Sequence, residues 1–595
     1  MAAESQHNVS PLVKLEENYS SVKESYKSIP FGTSVYEFLP DQFEGQFERI
    51  SKDNSFGYIS DVIRVKKGDQ LSLSVNIEPG LYQVEIDYYV FGDSILQPNF
   101  SIMINDDYPF YEARQLNFPV RWTPETKEFA RDRYNNELIP RSLKVEEWYT
   151  MKIMDPNHLH SNPLLFRFDA GNNTVSFGFK SGEILIGSIR LTPPEQHLTY
   201  DEYISRHSEK KKVKELISIP VEYIFEKNDP AIRLYSDNDP SNSRYHTRFR
   251  LLNAIEAESW NKGGQSITWE FEVPTSGLYK IGFKYQQYTL TNLPTYRQIF
   301  IDGEIPFKEL ENYPFHFTKK WTNETLHNEN GDFFFYLEEG THTITMMVTL
   351  SSYRPIIETI EQVMDEINEL SLEIKKLTGN KVNRYQNWKL TEYIPDVSER
   401  LNRWANELEK LYEYGNTLNR SNKKAAELTN LIIAANQLRK LMEDPNQIPN
   451  RLTELSEGQA SVAQLLGDLM LRLLNQPLGL EMVYVYNDVK LPNPRANIFI
   501  RIWEGIKRFF WSFRVDEYSS SAKNKNDLEV WVNRPRQYIE LMQKLIDEEF
   551  TPQTGITIKL SIMPDENKLV LASAAGTQPD IAMGVNHWLP YDLAI

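Results

Sequence analysis

The spacing of hydrophobic positions along this 595-residue chain changes twice. Over the first half, apolar and polar residues alternate, as in Tyr82-Gln83-Val84-Glu85-Ile86-Asp87-Tyr88 and Trp269-Glu270-Phe271-Glu272-Val273. Strand side chains point to opposite faces in turn, so this pattern predicts half-buried strands. The Gly, Pro and Asp between the runs predict turns, and the whole predicts β-sandwiches. From Ile360 the period lengthens. Ile360, Val363, Met364, Ile367, Leu370, Ile374 and Leu377 recur at three- and four-residue steps, the stripe of a helix with one buried face. Pro395 opens a second helix through Val397, Leu401, Trp404, Leu408 and Leu411, and two more are predicted over 425–442 and 460–474. Short connections predict antiparallel neighbours, a bundle acting as spacer or brace.

From Leu528 the pattern changes again. Leu528–Val532, Ile556–Leu560 and Asp580–Gly584 read as strands. Between them Tyr538, Ile539, Met542, Leu545, Ile546 and Phe550 have helical spacing, and a second helix opens at Pro564-Asp565. Strands alternating with helices predict a parallel sheet, whose ligands sit beyond the carboxyl ends of the strands. Those ends hold Arg534, Asp565, Asn586 and Trp588, the candidate site. A sugar needs a ring face for its C–H groups and polar side chains for its hydroxyls, and these four residues supply both.

An internal repeat organises the first half. Gly80-Leu81-Tyr82 returns as Gly277-Leu278-Tyr279, Ile104 as Ile301, Pro109-Phe110 as Pro306-Phe307 and Glu112 as Glu309, all at an offset of 197. Two sandwiches of one type are therefore expected, over 31–195 and 218–352, after a helical arm over 1–30 and joined by a solvated Lys-rich linker over 196–217. The phrase before Lys180 runs directly into Glu183-Ile184-Leu185-Ile186, whereas its counterpart near Thr349 runs into the helices; a matching last strand reappears at Leu478–Tyr486. This predicts a bundle over 353–477 inserted in the second sandwich, with 478–490 pairing with the 343–349 strand or joining its sheet. Trp122 and Trp321 occupy matching places and read as core. Residues 491–525 form an amphipathic connector whose stripe, Ile502, Trp503, Ile506, Phe509, Phe510 and Trp511, is expected to pack against protein rather than lie on a membrane. Residues 526–595 form the α/β part.

Charge narrows the function. Lys plus Arg number 65 and Asp plus Glu 83, a net charge of −18, which argues against a nucleic-acid partner. There is no cysteine, hence no disulfide or thiolate metal site. No apolar run reaches the length that crosses a bilayer. Metalloprotease, nucleophile-elbow and phosphate-loop motifs are missing. Asp155, His158 and His160 read as an exposed polar loop, and Glu256-Ala257-Glu258 is a candidate for structural calcium in the sandwiches.

Two resemblances add to this reading. Glu529-Val530-Trp531-Val532-Asn533, Met563-Pro564-Asp565-Glu566-Asn567-Lys568-Leu569, Ala575-Gly576-Thr577-Gln578-Pro579-Asp580-Ile581-Ala582 and Pro590-Tyr591-Asp592-Leu593-Ala594 together resemble the start of extracellular solute-binding proteins of bacterial carbohydrate ABC importers. Residues 277–285 and 338–346 resemble galactose-binding-like jelly rolls of carbohydrate-binding modules. The resemblances imply a multidomain fold: two galactose-binding-like β-sandwiches, an inserted helical bundle, and an incomplete carboxyl-terminal α/β fragment of the periplasmic-binding-protein type, holding part of the first of two lobes. They also imply a non-enzymatic protein at the cell surface, peripheral to the membrane, with a carbohydrate ligand and permease subunits as partners. No export signal or lipid-bearing cysteine is read in the chain. The other expectation is a surface module binding glycans or partners without transport.

Overall fold

The computed structural model describes residues 16–92, 94–132, 135–379, 382–383, 385–386, 388–419, 423–512, 527–563, 565–586 and 589. The chain divides into two units, one of residues 1–127, 140–235 and 253–494, the other of residues 128–139, 236–252 and 495–595.

The first unit holds both sandwiches and the bundle. In the first sandwich, strand Gly80–Val90 alternates Tyr82, Val84, Ile86 and Tyr88 into the core and lies between Trp148–Lys152 and Glu183–Thr192. The facing sheet is built around Gly171–Ser181, flanked by Gln70–Ile77 and Asn99–Ile104. The second sandwich repeats this plan. Phe335–Leu337 pairs with Gly277–Tyr279 as Phe166–Phe168 pairs with Gly80–Tyr82, and Gly479–Asn487 pairs with Gly277–Gln286 as Glu183–Thr192 pairs with Gly80–Val90. The 197-residue offset is therefore a repeat of position in the fold. Trp122 and Trp321 are both buried.

One pairing differs from expectation. Gly479–Asn487 neither pairs with Gly340–Val348 nor joins its sheet; the two strands lie on facing sheets. The first copy shows why. Gly171–Ser181 and Glu183–Thr192 also lie on opposite sheets, and the chain crosses between them at Gly182, whose φ of +79° makes the sharp reversal available to glycine. The helical tract occupies the same crossover in the second copy. The supposed solvated linker is also folded. Tyr200–Arg206 is a helix whose Tyr200 packs on Phe307 and Phe333, and Glu215–Pro220 is a strand on Gly479–Asn487. Lys210 and Lys212 lie over the rings of Tyr336 and Phe334.

A hairpin of the first copy ties the sandwiches together. Trp122–Pro124 and Ser142–Lys144 form a hairpin that extends the second sandwich's sheet through Glu226–Lys227, giving one seven-stranded sheet across both copies. Arg121 reinforces the seam by donating to both oxygens of Glu226 at 3.0 and 3.1 Å.

Helices Arg354–Thr378, Val397–Thr417, Thr429–Met442 and Val462–Leu474 form the bundle. Its core joins Ile360, Ile367, Leu401, Leu408, Leu431, Leu438, Leu466 and Leu473 around Trp404. Trp404 is fully buried, and its indole N–H donates to Glu366 at 2.6 Å. Serine at 461 caps the last helix by accepting from the Gln464 amide.

In the second unit, segments 128–139 and 236–252 are bonded to each other. The Glu137 amide donates to the Arg250 carbonyl, and Arg244 is ion-paired with Glu137. Helix Ile498–Ser512 rests on the second of these segments: Glu504 accepts from the Thr247 and Tyr245 hydroxyls, and Arg508 donates to Tyr245. The contact is made by the helix's polar side, and Ile502, Trp503, Ile506 and Phe509 of the stripe expected to be buried are exposed.

Candidate functional site

The described residues from Asp527 onward form a three-stranded parallel sheet with its connecting helices. Asp527–Val532 is central, with Thr557–Ile562 on one side and Ile581–Met583 on the other. Val530, Trp531 and Val532 bury both faces of the central strand, as in other such sheets. Val530 and Val532 pack with Ile539 and Leu560 on one side; Trp531 packs with Met563, Leu569, Ala572 and Leu589 on the other. The spatial order second–first–third, with all strands parallel, puts a reversal in the order of strand addition between the first and third strands. In sheets of this kind the crevice for a ligand opens there, beyond the carboxyl ends.

Arg534 sits at that reversal. Its guanidinium donates to the carbonyls of Asn533 at 2.7 Å and Gly584 at 3.3 Å, bridging the ends of the first and third strands, and the residue is exposed. Gly584 has φ +74°, and a Cβ there would lie 2.7 Å from the Arg534 guanidinium and 2.9 Å from the Asn533 carbonyl. Glycine is required here for both reasons. The backbone N–H of Asn586 donates to Glu566 at 2.8 Å, and its side-chain amide donates to the other carboxylate oxygen at 3.0 Å. Asp565 caps the helix Glu566–Ala574, accepting from the Asn567 amide, and that hydrogen bond holds its carboxyl below the usual range. Trp588 lies outside the described residues. Arg534, Asp565 and Asn586 thus share one edge of the sheet. Arg534 and Asn586 belong to the reversal between the first and third strands, whereas Asp565 is engaged in capping. Sequence reasoning missed Glu566 and Gly584. A glutamate directly after a capping aspartate reads as an ordinary first-turn acid, and only the fold turns it toward Asn586.

The first sandwich carries a second polar and aromatic arrangement on its outer sheet face. Asp87 accepts from Arg190 at 2.7 and 2.9 Å, from the Tyr58 hydroxyl at 2.7 Å, from Ser188 at 2.9 Å and from Thr150 at 2.5 Å. Burial alone would raise this carboxyl; the hydrogen bonds from Arg190, Thr150, Tyr58 and Ser188 outweigh it and hold it at about 2. Beside it, Tyr58 and Tyr89 lie against Trp148 at ring separations of 4.3 and 5.7 Å, with Phe56 exposed at the margin.

Asp155, His158 and His160 are not an exposed loop. Asp155 is buried and accepts from the amides of Asn157, Leu159 and His160. His158 is packed on Gly264 of the second sandwich, where a Cβ would stand 2.0 Å from the imidazole, and burial lowers its pKa to about 4. Three amides satisfy the aspartate and the neighbouring sandwich covers the ring, so a polar sequence folds inward. Glu256 pairs with Arg233 at 3.0 Å, and Glu258 accepts from Thr289. Among the described residues no cluster of three or more His, Asp or Glu side chains is placed to hold a metal.

Comparison with known proteins gives the bundle a family likeness. Residues 355–473 match the bacterial solute-binding protein 4-helix bundle domain. No curated protein matches the chain. Among solved structures, the chain is similar to the GH26-CBM35 β-(1,4)-mannanase of Podospora anserina at 13% identity, covering 30% of this chain and 35% of that one, with a TM-score of 0.18. It is also similar to a family 35 carbohydrate-binding module from an environmental isolate, at 13% identity over 26% of this chain and 92% of the module, TM-score 0.17. A family 35 module from Clostridium thermocellum matches at 13% identity over 27% of this chain and 98% of the module, TM-score 0.16. The chain spans about a third of the mannanase.

Proposed function

We propose that this chain is the extracytoplasmic ligand-capturing component of a bacterial carbohydrate ABC importer. The observation that carries the reading is the bundle: residues 355–473, placed at the crossover of the second sandwich, match a domain of bacterial solute-binding proteins. The α/β sheet supports it, because its strand order opens a crevice at Arg534 and Asn586, and the site's polar groups suit sugar hydroxyls. Capture is non-enzymatic, and the captured sugar passes to permease subunits. The sandwiches and bundle act as a rigid scaffold, unified by the shared seven-stranded sheet. Titration calorimetry of the whole chain against a panel of neutral oligosaccharides tests this: saturable binding of a sugar, weakened by Arg534→Ala, supports it, and no binding across the panel counts against it.

A second reading, a glycan-binding surface module without transport, is favoured by the Tyr58, Trp148 and Phe56 rings beside Asp87. Rings beside hydrogen-bonding groups are what a glycan face requires. Loss of sugar binding in Trp148→Ala with Arg534→Ala unaffected would select it.

A further inference from the structure

Helix Ile498–Ser512 is amphipathic and docked by its polar side. Glu504 faces segment 236–252 and accepts from Thr247 at 2.6 Å and Tyr245 at 3.1 Å, while Lys507 holds the other carboxylate oxygen at 2.7 Å. At 3.6 residues per turn the opposite side of the cylinder carries Phe499, Ile502, Trp503, Ile506 and Phe509. Their relative exposures are 79, 55, 59, 42 and 61%. Glu504 and Arg508 bond to the protein while these apolar side chains are mostly exposed, the reverse of a helix that packs into a core.

Three features decide what covers that face. Its side chains are Phe, Trp and Ile, which partition to the boundary between headgroups and acyl chains. Arg501 and Lys507, the latter paired with Glu504, lie on opposite margins of the apolar arc, the position from which long basic side chains meet headgroup phosphates. The helix carries Arg501, Lys507 and Arg508 against Glu504 alone, within a chain of net charge −18. A local cationic rim around an apolar face, on an otherwise acidic protein, complements an anionic lipid surface. A second copy fits less well, because a two-fold contact would press the same cationic margins together.

We propose that helix Ile498–Ser512 binds the surface of an anionic lipid bilayer, with Phe499, Trp503, Ile506 and Phe509 entering the headgroup boundary and Arg501 and Lys507 on the phosphates. This goes beyond sugar capture and does not rest on it. The helix seats the chain on a membrane by a patch unrelated to the strand ends.

Flotation of the full chain with phosphatidylglycerol-containing vesicles, and with phosphatidylcholine vesicles alone, tests the proposal. The chain is expected to float with the anionic vesicles, less so as ionic strength rises. The double substitution W503E/F509E is expected to lower partitioning by about tenfold or more. R501E/K507E is expected to reduce it to the level seen on phosphatidylcholine. All four positions lie outside the docking contacts except Lys507, so R501E alone is a further variant that leaves the Glu504 pair in place. In the unmodified chain, brominated lipids are expected to quench tryptophan fluorescence, and the quenching to fall in W503F. No flotation of the unmodified chain, equal flotation of W503E/F509E, or a W503E/F509E effect confined to self-association in sedimentation would each overturn the proposal.

Discussion

The guanidinium of Arg534 lies over the backbone of Gly584 and donates to its carbonyl at 3.3 Å. Because a Cβ at 584 would stand 2.7 Å from that guanidinium, the contact exists only while position 584 is glycine. It is one point where the first and third strands of the parallel sheet are joined beyond their ladder, beside the Asn533 amide donating to the Met583 carbonyl at 2.9 Å.

Gly584→Ala therefore meets both a left-handed backbone and a clash. We expect it to cost about 1–3 kcal/mol in the stability of the sheet. Hydrogen exchange at Val530 to Asn533 would rise, while amides of the sandwiches keep their protection.

The Asp87–Arg190 pair predicts a specific acid response. The folded carboxyl sits at about 2, below its ordinary value of 3.8. A depressed carboxylate stabilises the fold above the unfolded pKa and loses that contribution as pH falls through the folded one. The loss is expected between about pH 4 and 2 and is on the order of 2 kcal/mol. In Asp87→Asn this segment of the stability–pH curve should flatten. Asp87→Ala should cost about 3 kcal/mol or more, since it leaves the half-buried Arg190 with a diminished partner set.

His158 acts in a higher pH window. Burial lowers its folded pKa to about 4 from 6.5, so the unfolded chain takes up the proton first. Stability is full above about pH 6.5 and falls as pH drops toward 4. His160, which burial lowers to about 3, adds to the same slope, so His158→Gln should reduce it without abolishing it in urea titrations followed at several pH values. Gly264→Val should disrupt the contact between the sandwiches at every pH, because a Cβ there would stand 2.0 Å from the imidazole and position 264 has φ +80°.

Trp404→Ala should cost about 3–5 kcal/mol in the bundle through the cavity it leaves. Trp404→Phe should cost less but leave Glu366 without the indole donor. Thermal melts followed by far-ultraviolet circular dichroism would separate the two.

The helices and the repeated strands were legible because they rest on local spacing: Ile360 to Ile374 and Tyr82 to Tyr88 announce their own faces. What alternation does not carry is the choice of sheet. Residues 480–486 show the same inward pattern whichever partner they take, and the facing sheet is set by the reversal that Gly182 makes in the first copy. The Asp155 loop was misread for a related reason. Its polar residues look solvated until the fold supplies three amides to the carboxylate and a glycine beneath His158. The connector's stripe was visible, but its direction was decided by Glu504 finding Thr247 and Tyr245, residues more than 250 positions away. At the strand ends, Arg534, Asp565 and Asn586 were placed by topology alone, whereas the roles of Glu566 and Gly584 depend on contacts between different strands.

Sugar capture at the carboxyl ends of the parallel strands stands or falls on calorimetric titration of the whole chain with a panel of oligosaccharides. Saturable binding of at least one sugar is expected, weakened about tenfold or more by Arg534→Ala through loss of a charged hydrogen-bonding group, and unchanged by W503E/F509E on the exposed helix. Binding that survives Arg534→Ala intact, or no sugar binding at all, would contradict it.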